Sequence, residues 1–419
     1  MRICLGTINI CNIFTYLEDG FNQLGIKTIR IHSNKHRFMY KNNEKFYIRI
    51  LQYFNSKLNA KNICLKIFWN IITEIYSFII LIYCMLKCDV FIFSFGTSFL
   101  RNNFDLPILK FFNKKIIMLY LGSDSRAPFM AGNKRNLTIS EIITLTDKMY
   151  KKIAKVECYV DHIINYPPQA LLQNRKFIMG LIVGLPFSTF EKNNINNENI
   201  KKNENVVILH SPSSPIDKGT NIIRKIISDL KIAGYKIEYR ELIDKPHNEV
   251  IKNIKECDFV IDQLFSDTPM AVFSTEAAYY GKPSIVGGYY SLFLKNDIPE
   301  NVIPPTEYVK PDDLKSAIIK FITDKYYREL KGRESQLYVS NYCSPKKVAE
   351  RYLKIINNEI PDYWLYDPSK INYFYGYGYL EKEVKNRIFN FLKYSKANNI
   401  KLPLKNSKID ELFKFSKIT

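Results

Sequence analysis

The sequence has little of what usually builds a metal site or a disulfide framework. Its 419 residues include five histidines, and none of its eight cysteines belongs to a C-x-x-C pair. Cys84 and Cys88 lie one helical turn apart, but no histidine or second cysteine pair completes a metal-binding set. Scattered cysteines in a long chain are typical of reduced thiols in a cytoplasm. We therefore expect free cysteines and no bound metal.

Targeting and nucleic-acid signals are also missing. The first ten residues, MRICLGTINI, have no signal-peptide layout and enter a strand-like run at once, so we expect a cytoplasmic protein. The net charge of +20 suits an acidic partner such as a membrane surface, a nucleic acid or a phosphorylated substrate. Codon bias is the alternative source of this charge, since Lys, Asn and Ile all abound. No RNA- or DNA-binding motif accompanies the charge, and we expect no nucleic-acid partner.

The chain is long enough for two or three domains. Strand-like and helical patterns alternate through residues 1–190 and restart at 206, after a polar, Asn-rich stretch at 191–205. We predict an α/β protein with two Rossmann-like doubly wound domains, 1–190 and 206–355, that face a cleft and are joined by the linker 191–205. Residues 356–419 are predicted to be an aromatic, basic and helical tail that packs back on the body. The predicted strands are RICLGT (ending at Gly6), 27–31, 89–93, 115–119, 162–164, 206–210, 236–242, 258–262 and 284–288, and the predicted helices include 12–24, 247–257 and 274–280.

One long apolar stretch, residues 67–87, leaves three interpretations open. It is interrupted by Asn70, Thr73, Glu74 and Ser77, and lysines precede it. It is a buried helix of the first domain, a helix lying in a membrane interface, or a membrane span. A span is disfavoured because the stretch falls between two strands of one predicted sheet.

The segment SPSSPIDKGTNII, residues 211–223, follows the strand-like run VVILH and leads into a helical pattern. Backbone N–H groups at a helix start favour negative charge, and Lys218 adds to that field. The segment therefore predicts an anion site. Beyond it, Glu276 lies in the short helical stretch STEAAYY. A carboxylate in a nucleotide cleft can accept hydrogen bonds from ribose hydroxyls, whereas the alternative is an acid that complements a helix dipole.

These segments, in the order HSPSSPIDKGT, DFVIDQL and STEAAYYGKPSIV, resemble the donor-binding domain of GT-B glycosyltransferases. The resemblance is to the large retaining group that includes glycogen and sucrose synthases. In the first domain, FSFGTSFLRNNFDLPILKFFNKKIIMLYLGSDSRAP looks like the region of bacterial members that ends in a Gly-Ser-Asp-x-Arg segment lining the cleft. The resemblance covers residues 89–290 and extends to the rest of the chain.

The resemblance implies roles for individual residues of the second domain. Lys218, followed by Gly219, would contact the donor diphosphate, and Glu276 would hold the nucleotide ribose. The preceding loop has Ser213 and Ser214, where family members often have an arginine. The family's first glutamate falls at Thr268, and Asp267 is the nearest carboxylate, which leaves the sugar contact and the stereochemistry open. The main-chain amides that would contact the diphosphate and sugar belong to Met270, Ala271 and Val272.

Acceptor-side roles are implied for the first domain. Gly6 and Thr7 match the loop that approaches the phosphates. In the Gly122-to-Arg126 segment, Asp124 would orient the acceptor hydroxyl and Arg126 would bind an acceptor anion, unless the two pair with each other. His162, at the start of a predicted strand, is a weaker candidate for the acceptor side.

The function implied is sugar transfer from a nucleotide sugar, a UDP-sugar rather than a GDP-sugar, to a glycan or lipid-linked acceptor. The expected setting is bacterial surface polysaccharide assembly, with retention of configuration, no obligatory cofactor and no metal, since no Asp-x-Asp motif occurs. The expected location is cytoplasmic, with peripheral contact to an anionic membrane. Lys218, Asp124 and Asp267 are the catalytic candidates. Two alternatives remain open: a catalytically silent nucleotide-sugar-binding scaffold at the membrane, and a nucleotide-sugar 2-epimerase, which the shortage of histidine disfavours.

Overall fold

A computed structural model describes residues 1–33, 45–59, 61–188 and 205–417. All but the last residue of the predicted linker 191–205 lies outside the described residues. The strands are β1 (Arg2–Leu5), β2 (Lys27–Arg30), β3 (Val90–Ser94), β4 (Lys115–Leu119), β5 (His162–Asn165), β6 (Phe177–Met179), β7 (Val206–His210), β8 (Ile237–Glu241), β9 (Phe259–Ile261), β10 (Ser284–Gly287), β11 (Glu307–Val309) and β12 (Leu365–Tyr366). The helices are α1 (Ile13–Gln23), α2 (Phe46–Lys57), α3 (Ile63–Lys87), α4 (Asp105–Phe111), α5 (Ile139–Tyr159), α6 (Gly180–Val183), α7 (Thr220–Ile232), α8 (His247–Glu256), α9 (Val272–Tyr279), α10 (Leu294–Asp297), α11 (Leu314–Thr323), α12 (Lys325–Tyr342), α13 (Pro345–Ile356), α14 (Glu381–Ala397) and α15 (Asn406–Lys417).

The first sheet has the strand order β12-β6-β5-β4-β3-β1-β2. Its strands are parallel except β12, which pairs antiparallel with β6 at the edge. The central runs VFIFS and IIML are buried along their whole length, as expected for strands covered by helices on both faces. The chain reverses direction across the sheet between β1 and β3. Ligands bind outside the carboxyl ends of strands at such a switch point.

The second sheet repeats this plan. Its order is β11-β10-β9-β7-β8, all parallel, with the switch point between β7 and β9. The helix α7 has one apolar face, which buries Ile223, Ile227 and Leu230 against the sheet. The predicted class of two doubly wound α/β domains is confirmed by these two topologies.

The C-terminal segments return to the first domain. The rings of Tyr352 on α13 and Phe21 on α1 meet edge to face at 6.5 Å, although the sequence places α13 at the end of the second domain. Farther along, Phe391 on α14 stacks on Phe129 at 4.4 Å, and β12 extends the first sheet. The tail therefore ties the carboxyl end of the chain to the first domain.

Candidate active site

The turn between β7 and α7 is held in place by a buried histidine and a glycine. His210, the last residue of β7, contacts the Ile261 carbonyl oxygen through Nδ1 at 2.8 Å and the Thr220 hydroxyl through Nε2 at 2.9 Å. Burial lowers the pKa of His210 to about 4, so the ring is neutral. Gly219 has a φ of +72°, and a Cβ there would lie 2.7 Å from the Leu264 side chain. Only glycine fits this turn at the start of α7.

Lys218 lies at the switch point of the second sheet. Its side chain is 13% exposed, and Nζ lies 3.4 Å from the carboxylate of the fully buried Asp262, which follows β9. Asp262 also accepts a hydrogen bond from the Ser274 hydroxyl at 2.7 Å. Burial alone would lower the pKa of Lys218, but the charge of Asp262, its hydrogen bond and the nearby Tyr377 together outweigh burial, and the pKa is raised. Lys218 is therefore a buried, charged ammonium at the carboxyl edge of the sheet.

Glu276 projects from the second turn of α9. Its carboxylate is buried and lies 2.7 Å from Nε2 of His247, the first residue of α8. Met270 and Ala271 precede α9, and Val272 is its first residue, so these three residues lie at the helix start on the same edge of the sheet. Of the two loop serines, Ser214 donates to Asp217 at 2.9 Å, and Ser213 is exposed.

The β1–α1 turn of the first domain faces this edge at Cys11. The pKa of the Cys11 thiol is raised to about 11, mainly by burial and then by the charge of Glu276, while the charge of Lys218 acts in the opposite direction. The neighbouring phenol of Tyr16, on α1, also has its pKa raised to about 12, by burial and then by Glu276. Tyr16 also shares a hydrophobic cluster with Met270 and Ala278, so the start of α1 packs beside α9 of the second domain.

Gly6 and Thr7 lie deeper in the first domain than Cys11. The Thr7 hydroxyl donates to the Ser98 carbonyl oxygen at 3.0 Å, which joins the loops after β1 and β3 at the first switch point. A Cβ on Gly6 would lie 2.8 Å from the Ile31 carbonyl oxygen, so the backbone segments approach closely there. Both residues therefore shape the turn that presents Cys11.

Arg126 pairs with Asp267 rather than with Asp124. The Arg126 Nε donates to the Asp267 carboxylate at 2.9 Å, and a second nitrogen of the guanidinium also contacts it. Gln169 donates to the other Asp267 oxygen at 3.2 Å. The alternative that Asp124 and Arg126 pair with each other is therefore wrong. Gly122, with a φ of +132°, leaves room for the guanidinium, since a Cβ there would lie 3.3 Å from it.

Asp124 is buried within its own turn. Its carboxylate accepts hydrogen bonds from the Leu121 N–H at 3.0 and 3.2 Å, one to each oxygen. Burial raises the pKa of Asp124 to about 6, and these backbone bonds and the charge of Lys152 act in the opposite direction. A carboxyl that titrates near neutrality is suited to proton transfer.

Tyr377 is a site residue that the sequence patterns did not single out. Its backbone N–H donates to the Met130 carbonyl oxygen at 3.0 Å, and its own carbonyl oxygen accepts from the Gly132 N–H at 2.7 Å. The Arg126 guanidinium lies over its ring, 4.8 Å from the centroid. Burial raises the pKa of this phenol, while the charges of Lys218 and Arg126 lower it. The sequence feature that could have indicated Tyr377 is the alternation of Tyr and Gly in YGYGYL. Glycines allow the backbone to pass close to other segments, and the tyrosines between them supply large rings for burial.

His162 is not brought to this site. It begins β5, so it lies at the amino edge of the first sheet, opposite the edge that carries Asp124 and Arg126. Its Nε2 contacts the Asn358 side chain at 2.9 Å, and burial lowers its pKa. Across the described ranges no group of three or more His, Cys, Asp or Glu side chains is arranged to hold a metal ion.

Two Rossmann-like domains that meet at the carboxyl edges of their sheets form the GT-B arrangement expected from the sequence. No protein-family model matches the chain, and no curated protein sequence matches it. Solved structures similar to it include the sucrose-phosphate synthase of Thermosynechococcus elongatus, at a TM-score of 0.47 and 11% identity, over 86% of this chain and 99% of that one. HepE of Anabaena, in complex with UDP-glucose, is similar at a TM-score of 0.48 and 8% identity, over 85% of this chain and 99% of that one. The glycosyltransferase SnogD of Streptomyces nogalater is similar at a TM-score of 0.40 and 11% identity, over 85% of this chain and 100% of that one. All three TM-scores lie below 0.5.

Proposed function

We propose that the protein is a glycosyltransferase that moves a sugar from a UDP-sugar to a glycan or lipid-linked acceptor. The observation that carries the proposal is the placement of Lys218, in the β7–α7 turn, and Glu276, in α9, at one edge of the second sheet, where Tyr16 of the first domain shares a hydrophobic cluster with Ala278 of α9. A buried cation beside a helix start suits a diphosphate, and a buried carboxylate suits the hydroxyls of a ribose. UDP as the nucleotide follows from the resemblance of the sequence motifs.

Lys218 has the central role in the proposed chemistry. The anomeric carbon exchanges its bond to a diphosphate oxygen for a bond to the acceptor hydroxyl oxygen, and the hydroxyl proton passes to the departing diphosphate. Negative charge grows on the diphosphate as the first bond breaks, and a prearranged ammonium and helix start stabilise that charge. An ammonium has three N–H donors, more than its contact with Asp262 uses. Asp262 would thus orient Lys218 toward the phosphates.

The acceptor and the stereochemistry rest on the resemblance of the sequence to the retaining group. We propose retention of configuration and a role in bacterial surface polysaccharide or glycoconjugate synthesis. Asp124 is the candidate for orienting the acceptor hydroxyl, because it is a buried carboxyl that follows β4 at the carboxyl edge of the first sheet. Asp267 is engaged by Arg126 and Gln169, so its proposed role is to hold the two domains in register beside the reacting sugar.

The donor site is tested by thermal shift with UDP and GDP. We compare the wild type with Lys218→Ala and Glu276→Gln, with Lys225→Ala on the exposed side of α7 and Glu249→Gln on α8 as matched controls. A ligand at a hundred times its Kd stabilises the folded protein by about 2.7 kcal/mol. We expect UDP to stabilise the wild type and both controls, and the two site variants to lose the shift while their circular dichroism stays unchanged.

The outcome that would overturn the proposal is a UDP shift that is absent in the wild type or unchanged in both site variants. Release of UDP from a UDP-sugar, measured with and without glycan acceptors, then separates an enzyme from a binding scaffold. UDP binding with no turnover of any donor would favour the scaffold.

A further inference from the structure

The helix α3 has its polar side chains turned inward and an apolar stripe turned outward. Thr73, Ser77 and Cys84 are buried against the first domain. Residues at spacings of three and four along the opposite side are 37–77% exposed, and all are apolar: Phe68, Ile71, Ile75, Phe78, Ile79, Ile82 and Leu86. A surface helix of a soluble domain normally has the reverse pattern. We call these seven residues the outward stripe.

The inner side of α3 is fixed to the first domain by several contacts. Ile80, Leu81 and Cys84 belong to the core of that domain. The Tyr76 hydroxyl donates to the Tyr47 carbonyl oxygen at 3.1 Å, beside the start of α2. Glu74 pairs with Nε of Arg101 at 3.1 Å. These contacts decide the direction in which the outward stripe faces.

The length of α3 permits a membrane span, but its packing does not. Within the described chain, α3 is long and apolar enough to cross a bilayer. A helix that crossed would have to give up the core contacts of Ile80, Leu81 and Cys84. A helix that lies along a bilayer surface keeps them and buries only its outward stripe. The interpretation of 67–87 as an interfacial helix therefore fits both sides of α3.

The charge around α3 has one sign. Residues 45–87 contain six basic side chains and one acidic side chain, Glu74, which pairs with Arg101. Lys57, Lys61 and Lys66 are exposed around the α2–α3 turn, and Lys87 ends the helix. An apolar stripe flanked by lysines is the pattern of helices that lie on anionic membranes. Two copies of this surface would repel each other, which disfavours self-association.

We propose that the outward stripe docks on the surface of an anionic lipid bilayer, with α3 parallel to the membrane plane and the lysines at its ends on the lipid headgroups. The stripe enters the acyl boundary and the lysine stems reach past it to the charged layer. This inference does not depend on the proposed transferase activity, since it concerns a different face of the first domain. It identifies a surface that would hold the protein where a lipid-linked substrate resides.

The test is flotation of the full chain with vesicles, without any nucleotide or acceptor. Vesicles of phosphatidylcholine alone are compared with an equal mixture of phosphatidylcholine and phosphatidylglycerol. We expect binding to the mixed vesicles, weaker binding to the neutral ones, and loss of the difference at high salt. The apolar contribution is tested with Ile75→Ser combined with Ile79→Ser, and the matched control is Ile232→Ser, which is 84% exposed on the second domain.

We expect the Ile75 and Ile79 pair to lower affinity for mixed vesicles by at least about tenfold, since each side chain loses apolar burial. Replacement of Lys57, Lys61 and Lys66 by Gln should lower it by roughly a hundredfold, whereas Gln at Lys225, Lys231 and Lys252 of the second domain should not. The proposal is overturned if the wild type does not float with mixed vesicles, or if both α3 variants float as the wild type does. It is equally overturned if light scattering without lipid finds a dimer that Ile75→Ser with Ile79→Ser dissociates, because the stripe would then join two copies.

Discussion

Arg126 of the first domain donates a hydrogen bond from Nε to the Asp267 carboxylate of the second domain at 2.9 Å, and both side chains are buried. The burial of Arg126 would lower its pKa, but the charge of Asp267, the hydrogen bond to it and the nearby tyrosines Tyr377 and Tyr373 together outweigh burial, and the pKa is raised. The pair thus joins two separate sheets through one charged contact. Its energetic coupling is open to direct measurement.

We expect Arg126→Met to destabilise the protein by about 3–5 kcal/mol, because it leaves the Asp267 charge buried without its cation. Adding Asp267→Asn to that variant should recover part of the loss. The measurement is a double-mutant cycle on denaturant unfolding. Arg240→Met is the control, since Arg240 pairs with Glu238 and Glu256 near the surface, and its loss should cost less than about 1 kcal/mol. Strictly additive effects of the Arg126 and Asp267 variants would contradict the coupling.

Asp124 should make the protein less stable as the pH rises. Its folded pKa of about 6 lies above its ordinary value of 3.8, so the folded state holds the proton more tightly than the unfolded state. Its stabilising contribution is complete below pH 3.8 and is lost as the pH rises through 6, by up to about 3 kcal/mol. The unfolding free energy of the wild type minus that of Asp124→Asn should therefore fall by up to about 3 kcal/mol as the pH rises from about 4 to about 7. A difference that stays flat would place the Asp124 pKa near its ordinary value.

His210 should have the opposite pH dependence. Its folded pKa of about 4 lies below its ordinary value of 6.5, so the unfolded state binds the proton more tightly. Stability from the neutral ring is complete above pH 6.5 and is lost as the pH falls through 4, by up to about 3 kcal/mol. NMR titration of labelled histidine should give the His210 resonance a midpoint well below that of a free imidazole. A midpoint at the ordinary value would mean that the ring is not held between Ile261 and Thr220.

Gly132 should be required for the seating of the Tyr/Gly segment. A Cβ on Gly132 would lie 2.9 Å from both the Gly378 Cα and the Tyr377 carbonyl oxygen, and 3.0 Å from Asp217. We expect Gly132→Ala to destabilise the protein by about 1–3 kcal/mol and to speed proteolysis within 361–380. The control is Gly25→Ala, whose Cβ meets no atom within 4 Å and which carries only the strain of its φ of +73°. Equal protease sensitivity of the two variants would contradict a displaced segment.

Much of the site was predictable because parallel strands end at a common edge. The spacing of VVILH, Lys218 and Glu276 along alternating elements was enough to place these two residues on one edge of the second sheet. The partners of those residues were not predictable in the same way. Asp262 and His247 contact Lys218 and Glu276 from neighbouring turns, and no local pattern specifies which side chain of an adjacent turn points inward.

Contacts between the two domains were still harder to predict from the sequence. Asp124 is two residues from Arg126, which made an internal pair reasonable, yet Arg126 reaches Asp267, 141 positions away. Tyr377 enters the site from the tail, 159 positions beyond Lys218. Such long-range partners depend on how two sheets and a returning tail pack together.

The sequence by itself determined the two alternating α/β units, because hydrophobic runs of strand length and helical periodicity are local properties of the chain. The strands at 115–119 and 206–210 begin and end where the sequence predicts. Only the tertiary structure decided which face of α3 turns outward, which carboxylate meets Arg126, and that a tyrosine from the tail completes the cleft. The physical reason is that burial and charge pairing depend on neighbours distant in sequence, and these neighbours are set only when the sheets and the tail are packed.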